Sequence, residues 1–128
     1  MAVFGSLVAL EHPARAAVQA AIQMMKALST ANERWTAQFG FAINIGIGTN
    51  TGEVFLGNIG SPERMEFTVI GDTVNIASRF SGVARPGQIL VTRETLGCLG
   101  SDIHHRELPP VEVKGKTGKL AAFEMIYS

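Results

Sequence analysis

Between Arg64 and Arg79 the chain reads RMEFTVIGDTVNIASR, a passage that few folds can accommodate. Phe67, Thr68, Val69 and Ile70 form a β-branched and aromatic run that predicts a strand. Gly71 permits a sharp turn, and Asp72 or Thr73 is suited to cap a helix running to about Val83. Val74, Ile76 and Ala77 give that helix an apolar side. Asn75 and Arg79 are four residues apart and project from one face, one turn above the other. A neutral amide beside a permanent cation suits a ligand carrying hydroxyls and phosphates, because the planar guanidinium matches phosphate oxygens. The same spacing also describes the solvated face of an ordinary amphipathic helix. Spacing alone does not choose between the two.

The rest of the chain is read around this unit. Met1 to Leu10 is apolar and predicts a core strand; no positive residue precedes it, and it is too short to span a bilayer. Pro13 is a favoured first-turn residue, and Ala14 to about Gln38 contains neither Gly nor Pro. Ala17, Ala21, Met24, Leu28, Ala31 and Trp35 recur at helical steps, predicting one long amphipathic helix that ends at Gly40. Phe41 to Gly48 alternates as a half-covered strand does, Thr49 to Gly52 is turn chemistry, and Glu53 to Gly57 returns, predicting a hairpin. Gln88 to Thr92 predicts a short strand and Arg93 to Leu99 a helix. A looser region holds Pro109 and Pro110. Val111 to Lys114 and Ala121 to Tyr127 predict a second hairpin around Gly115 to Gly118. Interspersed helices and hairpins indicate an α+β sheet-and-helix layer.

At 128 residues the chain suffices for one domain, residues 1–128, with no linker or repeat. A formal net charge of zero gives no reason to expect a nucleic-acid surface or a basic membrane-binding face. The single cysteine, Cys98, cannot form an internal disulfide, which fits a reducing cytoplasm. Glu53, Glu66 and Asp72 do not make a convincing ligand set, so no metal site is assigned to this chain. His12, His104 and His105 are scattered and receive no role. Lys114 and Lys116 flank Gly115 in a tight turn, which as residues alone is a solvated basic turn or a phosphate contact.

Three stretches in order, GIGTNTGEVFLGNIGS (Gly46 to Ser61), the Arg64 to Arg79 segment and VKGKTG (Val113 to Gly118), resemble the class III nucleotidyl cyclases, the adenylate and guanylate cyclase family. The resemblance covers essentially the whole chain and implies a ferredoxin-like core with an antiparallel-rich sheet. It implies an adenylate cyclase-type phosphorus–oxygen lyase, converting ATP to cyclic AMP and pyrophosphate in intracellular signalling. In the matching positions Asn75 orients the ribose and Arg79 stabilises charge building on the α-phosphate. Thr68 matches the base-selecting position, where threonine favours adenine over guanine. A lysine of the 113–118 turn, Lys114 or Lys116, reaches the terminal phosphates. The glycine-rich first motif is read as a packing signature rather than a binding loop.

The family holds two Mg²⁺ or Mn²⁺ ions through two aspartates that match nothing in this chain; both positions lie upstream of Met1, as does the base-selecting lysine. The resemblance therefore implies a domain truncated at its N-terminus, inactive alone, in which Val3, Phe4 and the Ile43/Ile45/Ile47 strand lack neighbours. Family sites form in a dimer, with metals from one cyclase domain and the Asn and Arg from the other. The expected partners are a nucleoside triphosphate and another cyclase domain, with no nucleic acid and no membrane segment in this chain. Two alternatives remain: a non-catalytic regulatory half-domain, and a cyclase-like interaction module.

Overall fold

The computed structural model describes residues 1–5, 9–61, 64–115 and 118–127, with side chains described outside 56–69. Helix α1 (Pro13–Phe39) begins on Pro13 and ends at Gly40, whose φ of 75° lets its N–H reach Thr36 O at 3.1 Å. The strands are β1 (Ile47–Thr49), β2 (Phe55–Ser61), β3 (Arg64–Ile70), β4 (Ile89–Thr92), β5 (His105–Glu112) and β6 (Lys119–Met125). Helix α2 (Asp72–Val83) follows β3, and the short α3 (Arg93–Gly97) follows β4. The α+β class and an antiparallel-rich sheet are what the sequence indicates. β1, β4, β6 and β5 form one sheet in that order, with β1 parallel to β4 and the other pairs antiparallel. β2 and β3 form a separate antiparallel ribbon.

The sheet separates two apolar layers. On one face Val18, Ala21 and Met25 of α1 pack on Ile89, Val91, Phe123 and Met125. On the other, Phe80 of α2 packs on Leu90, Ala122 and Val113. Successive strand residues point to opposite faces, so β4 is buried along its whole length. Each fully buried aliphatic or aromatic side chain of this kind contributes roughly 1.5–3 kcal/mol.

The structure corrects several readings of the sequence. Phe41 to Gly57 is not a hairpin: Ile47 to Thr49 pairs in parallel with Ile89 to Val91, while Phe55 to Ser61 pairs with Arg64 to Ile70. Alternation identifies a half-buried strand but not its neighbour. Ahead of β1, Ile43 is bound by the α1 side chain Asn32, which receives Ile43 N–H at 2.8 Å and donates to Ile43 O at 2.7 Å. The segment of Met1 to Leu10 that is described has no strand; Met1 is 88% exposed and Phe4 37%. Apolar composition does not make a strand without a ladder partner.

On α1 the covered residues are Ala14, Val18, Ala21 and Met25, continuing through half-buried Leu28, Asn32 and Trp35, whereas Met24 is 54% exposed. In an alanine-rich helix, several stripes satisfy the same spacing. Pro109 and Pro110 lie inside β5, at a register shift between Leu108 and Val111, instead of in a loose region. β5 is an edge strand, where a missing N–H breaks no central ladder.

Gly46 and Gly48 bring α2 against β1. A Cβ at Gly48 would collide with the α2 backbone, at Ser81 N and 2.7 Å from Ala77 O; one at Gly46 would lie 2.7 Å from the Ala84 carbonyl. Arg15, near the start of α1, makes a bidentate pair with Asp102 at 3.0 and 2.5 Å, tying the helix to the loop before β5. The Arg15 hydrogen bonds hold the Asp102 carboxyl below its usual range. No helix among the described residues is long and apolar enough to cross a membrane.

Two outcomes are expected. Gly48→Ala lowers stability by about 1–3 kcal/mol in urea unfolding, because the obstacle is helix backbone and cannot swing aside. Asp102→Asn lowers the thermal midpoint at pH 7. Because the folded-state pKa of Asp102 is depressed, its contribution is complete above the unfolded value of about 3.9 and vanishes as pH falls through the folded one. Wild-type and Asp102→Asn melting curves should therefore converge only in strong acid.

Candidate functional site

Helix α2 carries the two residues singled out by spacing. It starts at Asp72, as expected, so the N-cap position falls on Gly71 and not on Asp72 or Thr73. Gly71 is the N-cap, its carbonyl receiving the N–H groups of Val74 and Asn75 at 3.2 Å each. The Thr73 hydroxyl donates instead to Glu53 O at 2.7 Å, so it fastens the helix to the chain between β1 and β2. Ile76 and Phe80 point into the core layer, while Asn75 and Arg79, each one residue earlier, flank that layer and are exposed, about one turn apart.

Arg79 is held as well as exposed. Its Nε donates to Glu112 O, at the end of β5, at 3.0 Å. Lys114 follows two residues later and is also exposed, leading into Gly115 with φ of 84°. The fold thereby brings Arg79 to the base of the turn that carries Lys114, across 33 residues of sequence. That bond engages Nε and not the terminal guanidinium nitrogens, whose two-nitrogen fork matches the oxygens of an anion. Lys116 lies outside the described residues. Thr68 sits on β3 opposite Gly57, four positions before Asp72; its side chain is outside the described set.

A group that sequence spacing did not pick out supports the helix. Asn50 accepts from Thr92 Oγ1 at 2.7 Å and donates to Thr73 O at 3.2 Å. Thr51 and Thr95 share a hydrogen bond of 2.8 Å, and Thr92 and Thr95 are 2% and 1% exposed. The signal was present as polar residues inside the glycine-rich motif, but their partners lie some 20 to 40 positions away. Among the described residues no three His, Cys, Asp or Glu side chains gather as ion ligands.

The sequence profile described as the Adenylate and Guanylate cyclase catalytic domain matches residues 1–126. A terminal-differentiation-specific adenylate cyclase of Dictyostelium discoideum is 37% identical over 116 residues, which cover 86% of this chain and 5% of that protein. In structure, an adenylyl cyclase of P. aeruginosa aligns with a TM-score of 0.86 at 30% identity, over 98% of this chain and 65% of its own. A guanylate cyclase domain from Catenaria anguillulae, solved with GTP, aligns at 0.84 and 31% identity, over 96% and 64%. The chain thus spans a small fraction of that curated relative's length and just under two thirds of each of those solved chains.

Proposed function

The chain belongs to the adenylate and guanylate cyclase catalytic domain family, and we propose that it provides the ribose- and phosphate-holding half of an adenylate cyclase site. In that reaction the ribose 3′-oxygen attacks the α-phosphorus of the same ATP. A new O–P bond closes the ring, the bond to the β-phosphate oxygen breaks, and pyrophosphate leaves while the hydroxyl proton passes to solvent or a base. Nucleophile and electrophile are already tethered, so the protein's task is to fix the ribose and to offset charge at phosphorus.

The observation that carries this reading is the exposed Asn75–Arg79 pair with Arg79 anchored by Nε to Glu112 O. A guanidinium held from behind keeps its fork directed without reorganising during reaction, which is the condition for strong electrostatic stabilisation. Asn75 presents an amide that can donate to and accept from ribose hydroxyls. Lys114, close behind in the β5–β6 turn, supplies a mobile cation suited to the terminal phosphates, and Lys116 is its alternative. The base preference rests on Thr68 alone, since relatives of both the adenylate and guanylate kind are similar to this chain.

The divalent ions that the family employs would be contributed by a second cyclase domain, so the working unit is a dimer. Cyclic AMP signalling from cellular ATP also places this domain in the cytoplasm.

The test is complementation. This chain is mixed with a cyclase domain whose metal aspartates are intact but whose own Asn and Arg counterparts are replaced. Cyclic AMP formation should appear in the mixture and in neither component alone. Arg79→Ala should lower turnover roughly a hundredfold or more, the scale seen on removing one preorganised transition-state donor. Thr68→Ala should alter the ATP-to-GTP ratio more than the maximal rate. A mixture that binds as a dimer yet makes no product supports the regulatory half-domain instead. An Arg79→Ala mixture of full activity would remove Arg79 from the chemistry.

A further inference from the structure

We propose that Asn50 is a positioning residue for the reaction, acting by gripping the first turn of α2 from the side away from Asn75; this rests on the cyclase reading above. Its amide bridges the end of β4 and the first turn of α2. Oδ1 accepts from Thr92 Oγ1 at the end of β4, and Nδ2 donates to Thr73 O in α2. A carbonyl oxygen has a second lone pair, so Thr73 O can receive Nδ2 without surrendering its helical bond.

Further contacts hold the same turn and anchor the grip. Thr73 Oγ1 donates to Glu53 O at 2.7 Å, so the chain at 50–53 holds residue 73 through both its carbonyl and its side chain. A Cβ at Gly52 would lie 2.7 Å from that hydroxyl, so this turn of chain lies flush on the helix start. Thr92 is itself bound to Thr95, which is fully buried, and Thr51 bonds Thr95 as well. The grip is thus anchored in the core and not in solvent.

Helical geometry gives the grip its consequence. At about 100° per residue, Thr73 and Asn75 lie about 200° apart around the axis. Asn50 therefore has no route to the ligand face, and its influence must pass through the helix. Loss of the Asn50 bridge leaves the end of α2 that precedes Asn75 by two residues with the Thr73–Glu53 bond but without its tie to β4, while the other end stays fixed by Phe80 and Gly48. The displacement falls first on the ribose contact and then on Arg79. Misplacement of about 1 Å can reduce turnover roughly a hundredfold.

The experiment uses the mixed dimer described above and hydrogen exchange of α2 in this chain. Asn50→Ala should lower kcat roughly ten- to a hundredfold with a much smaller change in KM, and should speed amide exchange across residues 73–79. Thr92→Val should do the same and Thr92→Ser should restore activity, since only the hydroxyl matters. Asn50→Asp supplies a signature that a merely structural role would not give. Its carboxylate accepts from Thr92 but cannot donate to Thr73 O, whereas the protonated acid does both. Activity of this variant relative to wild type should rise as pH falls through the carboxyl titration, and Asn50→Ala should show no such rise.

A kcat within twofold of wild type for Asn50→Ala, or a flat pH ratio for Asn50→Asp, overturns the proposal. If the wild-type mixture itself is inactive, the cyclase reading fails, and the grip on α2 is then judged by exchange alone: unchanged exchange in Asn50→Ala refutes it.

Discussion

The close approach of α2 to β1 is the constraint on which the rest depends. Residues with side chains at positions 46 and 48 would hold the helix off the sheet, since a Cβ there would meet Ala84 and the backbone of Ala77 to Ser81. With the helix seated, Phe80 reaches full burial against Leu90, Ala122 and Val113, and the polar side of α2 is turned outward. One packing choice therefore fixes both a core layer and the direction of Asn75 and Arg79. Because the obstacle is helix backbone and not a flexible side-chain tip, the arrangement tolerates little compromise.

Hydrogen bonds then set the position of the helix along that seat. Asn50, Thr73 and Glu53 hold its beginning, and Arg79 Nε closes on Glu112 near its end. The second of these links the helix to the β5–β6 turn, so cationic groups from two parts of the sequence share one edge of the fold. Arginine suits this double role because Nε and the terminal nitrogens are separate donors in a rigid plane; a lysine at 79 would have one nitrogen for both tasks.

Much of this was legible in the residues. The limits of α2 follow from Gly71, Asp72 and the strand before it, and the C-terminal hairpin from the glycines of its turn. Asn75 and Arg79 sharing a face is a property of any helix with that spacing. What failed was partner assignment. Residues 41–57 alternate as strands do, but a period of two is equally satisfied by a parallel neighbour from residues 89–91 and an antiparallel one next door. On α1, the alanines blur the stripe: Met24 fits the helical spacing but is exposed, and Met25 is buried. Pro109 and Pro110 argue against a strand only if that strand is central, which is a fact about the whole sheet.

The sequence by itself determined the helices and most of the strands, the family to which its motifs belong, and the residue chemistry offered to a ligand, because these depend on local propensity and short spacing. The tertiary structure alone decided which strand neighbours which, that Arg79 is braced by Glu112, and that Asn50 grips α2 through Thr73. Those contacts join residues more than 20 positions apart, and no local pattern encodes them. They form where burial of both faces of β4, under α1 on one side and α2 on the other, brings their donors and acceptors together.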